Sequence, residues 1–213
     1  MKHPAQPIGH PRQLPHRVHH LIFRQHALPG LDGAWVSGHA EPVRHAGGRG
    51  QAEGLAAFPA VDGRTLLGAD VALPADFPAD RTLAVVAFKQ RQQPLVDRWI
   101  ERAVCAGVPP TPRGATGSIP VAVVEIPLLS TRWELVRRFI DGGMTSGIGD
   151  PDVLARTITV YTDVAAFQRA LAIPSSDLVH ALVVDRDGTI LARGCGDPDD
   201  TSWAAIAAGL LVD

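Results

Sequence analysis

The alternation of apolar and polar positions divides this chain near residue 55. Beyond that point, the run TLAVVAF at 82–88 is almost unbroken and predicts a strand buried on both faces. Leu95, Trp99 and Ala103 repeat every four residues, as do Val96, Ile100 and Val104, and predict a helix with one wide apolar stripe. Pro94 fits its first turn, and Gly107 with Pro109, Pro110 and Pro112 ends it. Residues 108–119 read as a loop, and 121–126 as a second buried strand stopped by Pro127. Leu135, Val136, Phe139 and Ile140 mark a second helix that stops at Gly142-Gly143, with Thr131 and Glu134 at capping-box spacing. A glycine-rich loop, GGMTSGIGDPD, leads to a third strand at 158–161 and a short helix at 164–171.

The C-terminal pattern is the clearest. LVHALVVDRDGTILARG predicts two strands joined by a turn at Asp187-Gly188. Asp199 or Asp200 then caps a helix with Trp203, Ile206, Ala207, Leu210 and Leu211 on one side. Upstream, order begins near Phe58, and Asp62-Gly63 predicts a turn in a small N-terminal strand pair. The predicted order after that pair is β-α-β-α-β-α-β-β-α. Strands separated by helices imply parallel pairing, and the hairpin adds an antiparallel pair.

Residues 1–54 differ in kind. They are rich in Pro, Gly, His and Arg and show no sustained period of 2 or 3.6. Eight of the nine histidines lie there. Such a segment buries too little to offset its ordering entropy, so it reads as disordered or loosely packed, or as sequence upstream of the true start. His16, His19 and His20 have spacing for a metal clip but no acidic or cysteine co-ligands nearby, so no specific metal site is expected. The domain division is therefore 1–54 and 55–213.

Charge and cysteine usage narrow the function classes. A net charge of -2 gives no argument for nucleic-acid binding. No apolar stretch is long enough to span a membrane, and the N-terminus lacks the apolar core of a secretory signal. Two cysteines, Cys105 and Cys195, make no disulfide framework, so the expected address is cytoplasmic. The loop 142–149 lacks the phosphate-cradle pattern and its lysine, so no nucleotide or other cofactor is expected.

The order ending in hairpin and helix resembles the thioredoxin superfamily over residues 58–213, and the extra strand-helix segment resembles its peroxiredoxin and alkyl-hydroperoxide-reductase branch. The phrases that carry this are TLAVVAF, VAVVEIP, TVYTDVAAFQRALAI and ALVVDRDGTILARGCG. The resemblance implies a three-layer α/β/α sandwich with a central mixed sheet and a C-terminal hairpin plus helix. It also implies a cysteine opening the helix after the first buried strand, where a helix N-terminus lowers a thiol pKa. Here that stretch is Lys89-Gln90-Arg91-Gln92-Gln93-Pro94-Leu95-Val96, with no Cys, Ser or Thr. The family's cis-proline position holds Val179. FKQRQQPLVDRWI, EIP and GMTSGI are similar to uncharacterised bacterial relatives of the mitochondrial ATP-synthase assembly factor with this fold, which implies a chaperone-like or binding role.

The candidate site follows from that layout. Ligands of open α/β sheets bind beyond the carboxyl ends of the parallel strands. Lys89, the one lysine of residues 55–213, stands there with Arg91, and helix N–H groups near Gln92 and Gln93 favour an anion. His180, beside Val179, is expected to approach this loop. The expectation is thus a redox-inactive protein binding a partner or small anionic ligand through Lys89, Arg91, Gln92, Gln93 and His180, with no catalytic residue assigned. The alternative is a peroxiredoxin-type or thiol-reductase-type enzyme with an unorthodox cysteine. Cys105 ends the apolar stripe and is expected to be buried, whereas Cys195 lies between two glycines. Asp185 and Asp187 read as turn residues.

Overall fold

The computed structural model describes residues 57–110, 119–132 and 148–211. The His-rich segment, the predicted second helix, Glu134 of its capping box and most of the 142–149 loop lie outside these residues. The described elements are β1 (Val61–Thr65), β2 (Asp70–Leu73), β3 (Arg81–Ala87), α1 (Gln93–Cys105), β4 (Val121–Ser130), α2 (Pro151–Arg156), β5 (Ile158–Thr162), α3 (Val164–Ala170), β6 (His180–Asp185), β7 (Ile190–Cys195) and α4 (Asp200–Leu210). The strands form one seven-stranded sheet in the order β2-β1-β5-β4-β3-β6-β7.

The central strands are apolar on both faces because both faces are covered. Leu83, Val85 and Ala87 of β3 join Val96, Trp99 and Ile100 of α1 and Ile206 and Leu210 of α4 on one side. Ala84, Val86 and Phe88 join Phe58, Phe77 and Phe167 on the other. Phe58 meets Phe77 and Phe167 edge-on at centroid distances of 5.2 and 5.7 Å, a preferred aromatic geometry. The result is a three-layer α/β/α sandwich with a central mixed sheet. β3 runs parallel to β4 and β4 to β5, whereas β6 runs antiparallel to both β3 and β7.

Several local expectations need correction. Asp62-Gly63 lies inside β1, and the turn falls at Gly68, whose φ is 94°. Gly63 serves a close approach instead: a Cβ there would stand 2.7 Å from Ile158 Cγ2. Pro127 does not stop β4, which continues to Ser130. Pro127 is the last residue in register with β3, and Leu128 the first of the ladder to β5, so its missing N–H falls where the strand changes partners. The glycine-rich loop ends sooner than expected because Pro151 begins α2. Asp150 caps that helix, accepting from the Asp152 N–H at 2.8 Å. Of the two aspartates expected to cap α4, Asp199 does so, accepting from Ser202 N–H at 2.7 Å. Leu211 lies beyond α4 and is 69% exposed, so the apolar side of that helix ends at Leu210. Cys105 is exposed, because α1 turns its last residue outward while Ala103 takes the buried position.

Candidate functional site

The chain leaves β3 at Ala87 and enters a 3-10 turn at Gln90–Gln92 before α1. Gln92 organises this passage. Its side-chain oxygen accepts from the N–H groups of Phe88 at 2.7 Å and Lys89 at 2.9 Å. Its side-chain nitrogen donates to the Ser176 carbonyl at 2.9 Å. With 3% exposure, Gln92 ties the loop to the 174–178 segment and presents nothing outward.

Lys89 Nζ donates to Asp177 Oδ1 in a short contact, and an Arg91 guanidinium nitrogen lies 3.7 Å from the same oxygen. The two cations therefore converge on an acid that the residue pattern had not singled out. Asp177 also accepts from the Ser175 hydroxyl at 2.8 Å. The hydrogen bonds from Lys89 and Ser175 hold its carboxyl below the usual 3.8.

Gln93 turns the other way. Its side-chain nitrogen donates to Asp97 at 3.0 Å and reaches Glu125 Oε2 at 3.3 Å. Glu125 is 4% exposed on β4, and its other oxygen accepts from the Thr157 hydroxyl at 2.6 Å. Burial raises its carboxyl above the usual 4.5, against the lowering effects of Thr157, Arg156 and Gln93. Sequence reasoning missed Glu125, yet its signal was present: a lone acid in VAVVEIP, within a strand read as buried on both faces. Lys89, Gln90, Gln93 and Glu125 border a cleft of about 10 Å³ with apolar walls from Val85, Val96 and Pro127. That is room for roughly one water.

His180 does not join this group. Its Cα partner on β3 is Val86, so it faces the Phe88 side of the sheet, and its ring meets Phe88 edge-on at 6.1 Å. Val179 is fully buried on the α1 face. The five expected site residues thus take three settings: Lys89, Arg91 and Gln92 against residues 175–177, Gln93 against Glu125, and His180 against Phe88 on the other side of the sheet from Glu125, where it meets the same 175–177 segment at the Ser175 backbone. Among the described residues, no cluster of three metal-ligating side chains occurs. No described helix is long and apolar enough to cross a membrane.

No family model matches the chain. No curated protein matches it. Among solved structures, it is similar to BsSco, a member of the Sco family of cytochrome c oxidase assembly proteins, at 11% identity and a TM-score of 0.43, covering 74% of this chain and 95% of that one. It is also similar to a putative thiol:disulfide interchange protein DsbE from Chlorobium tepidum, at 14% identity and a TM-score of 0.42, covering 73% and 96%. A third is the exposed lipoprotein thioredoxin Etrx1 from Streptococcus pneumoniae, at 11% identity and a TM-score of 0.42, covering 71% and 98%. Identities at this level transfer no activity or partner to this chain.

Proposed function

We propose that this protein is a redox-inactive thioredoxin-like binding module that takes an anionic group at the carboxyl end of β3. The supporting observation is the convergence of Lys89 and Arg91 on the Asp177 carboxylate. These cations stand at the loop where a redox-active relative carries its thiol, and residues 89–96 hold no cysteine. Asp177 acts as an internal stand-in for the ligand's carboxylate or phosphate. The neighbouring cleft, about 10 Å³, has room for no more than about one water, which favours a group presented on a partner's surface over an enclosed metabolite. Gln92 positions the loop. Two free cysteines suit a reducing, cytoplasmic setting.

The test uses an Asp/Glu-rich peptide and inorganic phosphate as probes, with calorimetry at low salt. Asp177→Asn is expected to tighten binding of at least one probe, and Lys89→Ala with Arg91→Ala to abolish it. Failure of Asp177→Asn to bind either probe overturns the proposal. A peroxide-consumption assay with a thiol reductant is expected to show no turnover. Turnover abolished by Cys195→Ser would put the enzymatic alternative first.

A further inference from the structure

The two helices on the α1 face of the sheet differ in what they turn toward solvent. α1 presents charge there: Arg98 and Glu101 are exposed, with Asp97 and Arg102 half-buried beside them. α4 presents none. Ile206 and Leu210 are buried against the sheet. A period of 3.6 residues then turns Thr201, Ala204, Ala205, Ala208 and, just past the helix end, Leu211 the opposite way, and all are exposed. Leu211 is 69% exposed, the most of any large apolar side chain among the described residues. From Thr201 to Leu211 the chain carries no ionisable group. A surface helix ordinarily keeps a charged face toward water, and one that is apolar all round belongs against another apolar surface.

The surface that suits this face is a second α4. Alanines form its centre, and an alanine has no rotamer freedom to lose on burial. With no charge along it, the face does not repel its own copy. The helix ends set the direction of pairing. Asp199 and Asp200 stand at the start of α4, and the Asp200 side chain is 98% exposed even with Arg102 beside it. The charged side chain that reaches the other end is Arg81, which donates to the Gly209 carbonyl at 3.1 Å. Antiparallel pairing about a two-fold axis sets each acidic start beside the Arg81 end of the other copy, and symmetry makes that match twice. Parallel pairing sets acid against acid.

We propose that the outer face of α4 is a homodimer interface, on which a second copy of this chain packs its own α4 antiparallel. Ala204, Ala205 and Ala208 lie at the axis, and Leu211 of each copy covers Thr201 of the other. One short helix from each copy makes a small interface, so the dimer is reversible and concentration-dependent. This inference is independent of anion binding by the 89–93 loop, which lies outside the face.

Sedimentation of the full chain across the micromolar range is expected to show a monomer–dimer equilibrium. Ala208→Glu sets two like charges at the axis and is expected to weaken the dimer by at least about hundredfold. The position is exposed and glutamate is a good helix former, so this variant keeps its fold. Leu67→Ser, which removes an exposed apolar side chain elsewhere, is expected to leave the equilibrium unchanged. A short bis-maleimide in a Cys105→Ser, Cys195→Ser background reads the direction. Ala205→Cys is expected to cross-link and Thr201→Cys is not, because only positions near the axis meet their own copies. Cross-linking of Thr201→Cys alone overturns the antiparallel arrangement. A chain that is monomeric at every concentration overturns the proposal without any variant, as does a dimer that survives Ala208→Glu. If that monomer floats with neutral phospholipid vesicles, lipid and not a second copy covers the face.

Discussion

The two faces of the sheet bury ionisable groups one strand either side of β3, and these groups respond to pH in opposite directions. Glu125 is in register with Val85 and lies on the α1 face; His180 is in register with Val86 and lies on the other. Burial drives each toward its neutral form, raising the carboxyl and lowering the imidazole. Glu125 has hydrogen bonds from Thr157 and Gln93 and the charge of Arg156 to favour its anion, and burial still dominates. His180 has only the Ser175 backbone bond to favour its cation. The lesson is that burial drives polar groups of the sheet interior toward their neutral forms, whereas at the rim the hydrogen bonds from Lys89 and Ser175 favour the anion of the exposed Asp177.

The α1 face is organised around one large side chain. On the α1 face, Trp99 is fully buried, and its indole N–H donates to the Gly196 carbonyl at 2.9 Å. A Cβ on Gly194 would stand 2.7 Å from Trp99 Cη2. Trp99→Ala is expected to cost about 3–5 kcal/mol, and Gly194→Ala about 1–3 kcal/mol. Together they should cost less than their sum, by about 0.5–3 kcal/mol, because the new methyl enters space the indole vacates. Urea unfolding of the three variants measures this, and strict additivity would separate the two residues.

A smaller effect tests the buried carboxyl. Glu125 holds its proton more firmly folded than unfolded, so its contribution is fully present below the ordinary 4.5 and is lost as pH rises through the raised folded value. Glu125→Gln is expected to remove that decline from a plot of Tm against pH. An unchanged slope would mean that Arg156 and the two donors hold the anion after all.

These contrasts also explain what the residue pattern disclosed. The stripe of Val96, Trp99, Ile100 and Ala103, the Asp187-Gly188 turn and the β3 run were legible because each rests on local periodicity or turn chemistry. Gly188 has a φ of 83°, and Asp185 accepts from the N–H groups of Asp187 and Thr189 at 3.0 and 2.8 Å. Gly63 and Pro127 misled because their roles depend on strands distant in sequence: Ile158 for one, the exchange from β3 to β5 for the other. The pattern disclosed that the 89–93 loop follows β3, and not which partners its side chains take. Strand alternation sends His180 to one face and Val179 to the other, and the partner of Lys89 is an ordinary loop aspartate.

The smallest expected effect comes from His180. It holds its proton less firmly folded than unfolded, so its contribution is fully present above the ordinary 6.5 and is lost as pH falls through the lowered folded value. Asp177 and Asp199, both held below the usual 3.8, lose their contributions only as pH falls through that lower range. A stability loss that sets in as pH falls below 6.5 thus marks the imidazole, whereas that of these carboxylates sets in only below 3.8. Glu125 has the opposite slope where their windows overlap, so the histidine shows cleanly only with Glu125→Gln in place. In that background, His180→Gln is expected to flatten the remaining acid-side decline in Tm, while the loss below 3.8 persists. If the decline survives His180→Gln, the imidazole on the Phe88 face is not the group that senses the acid.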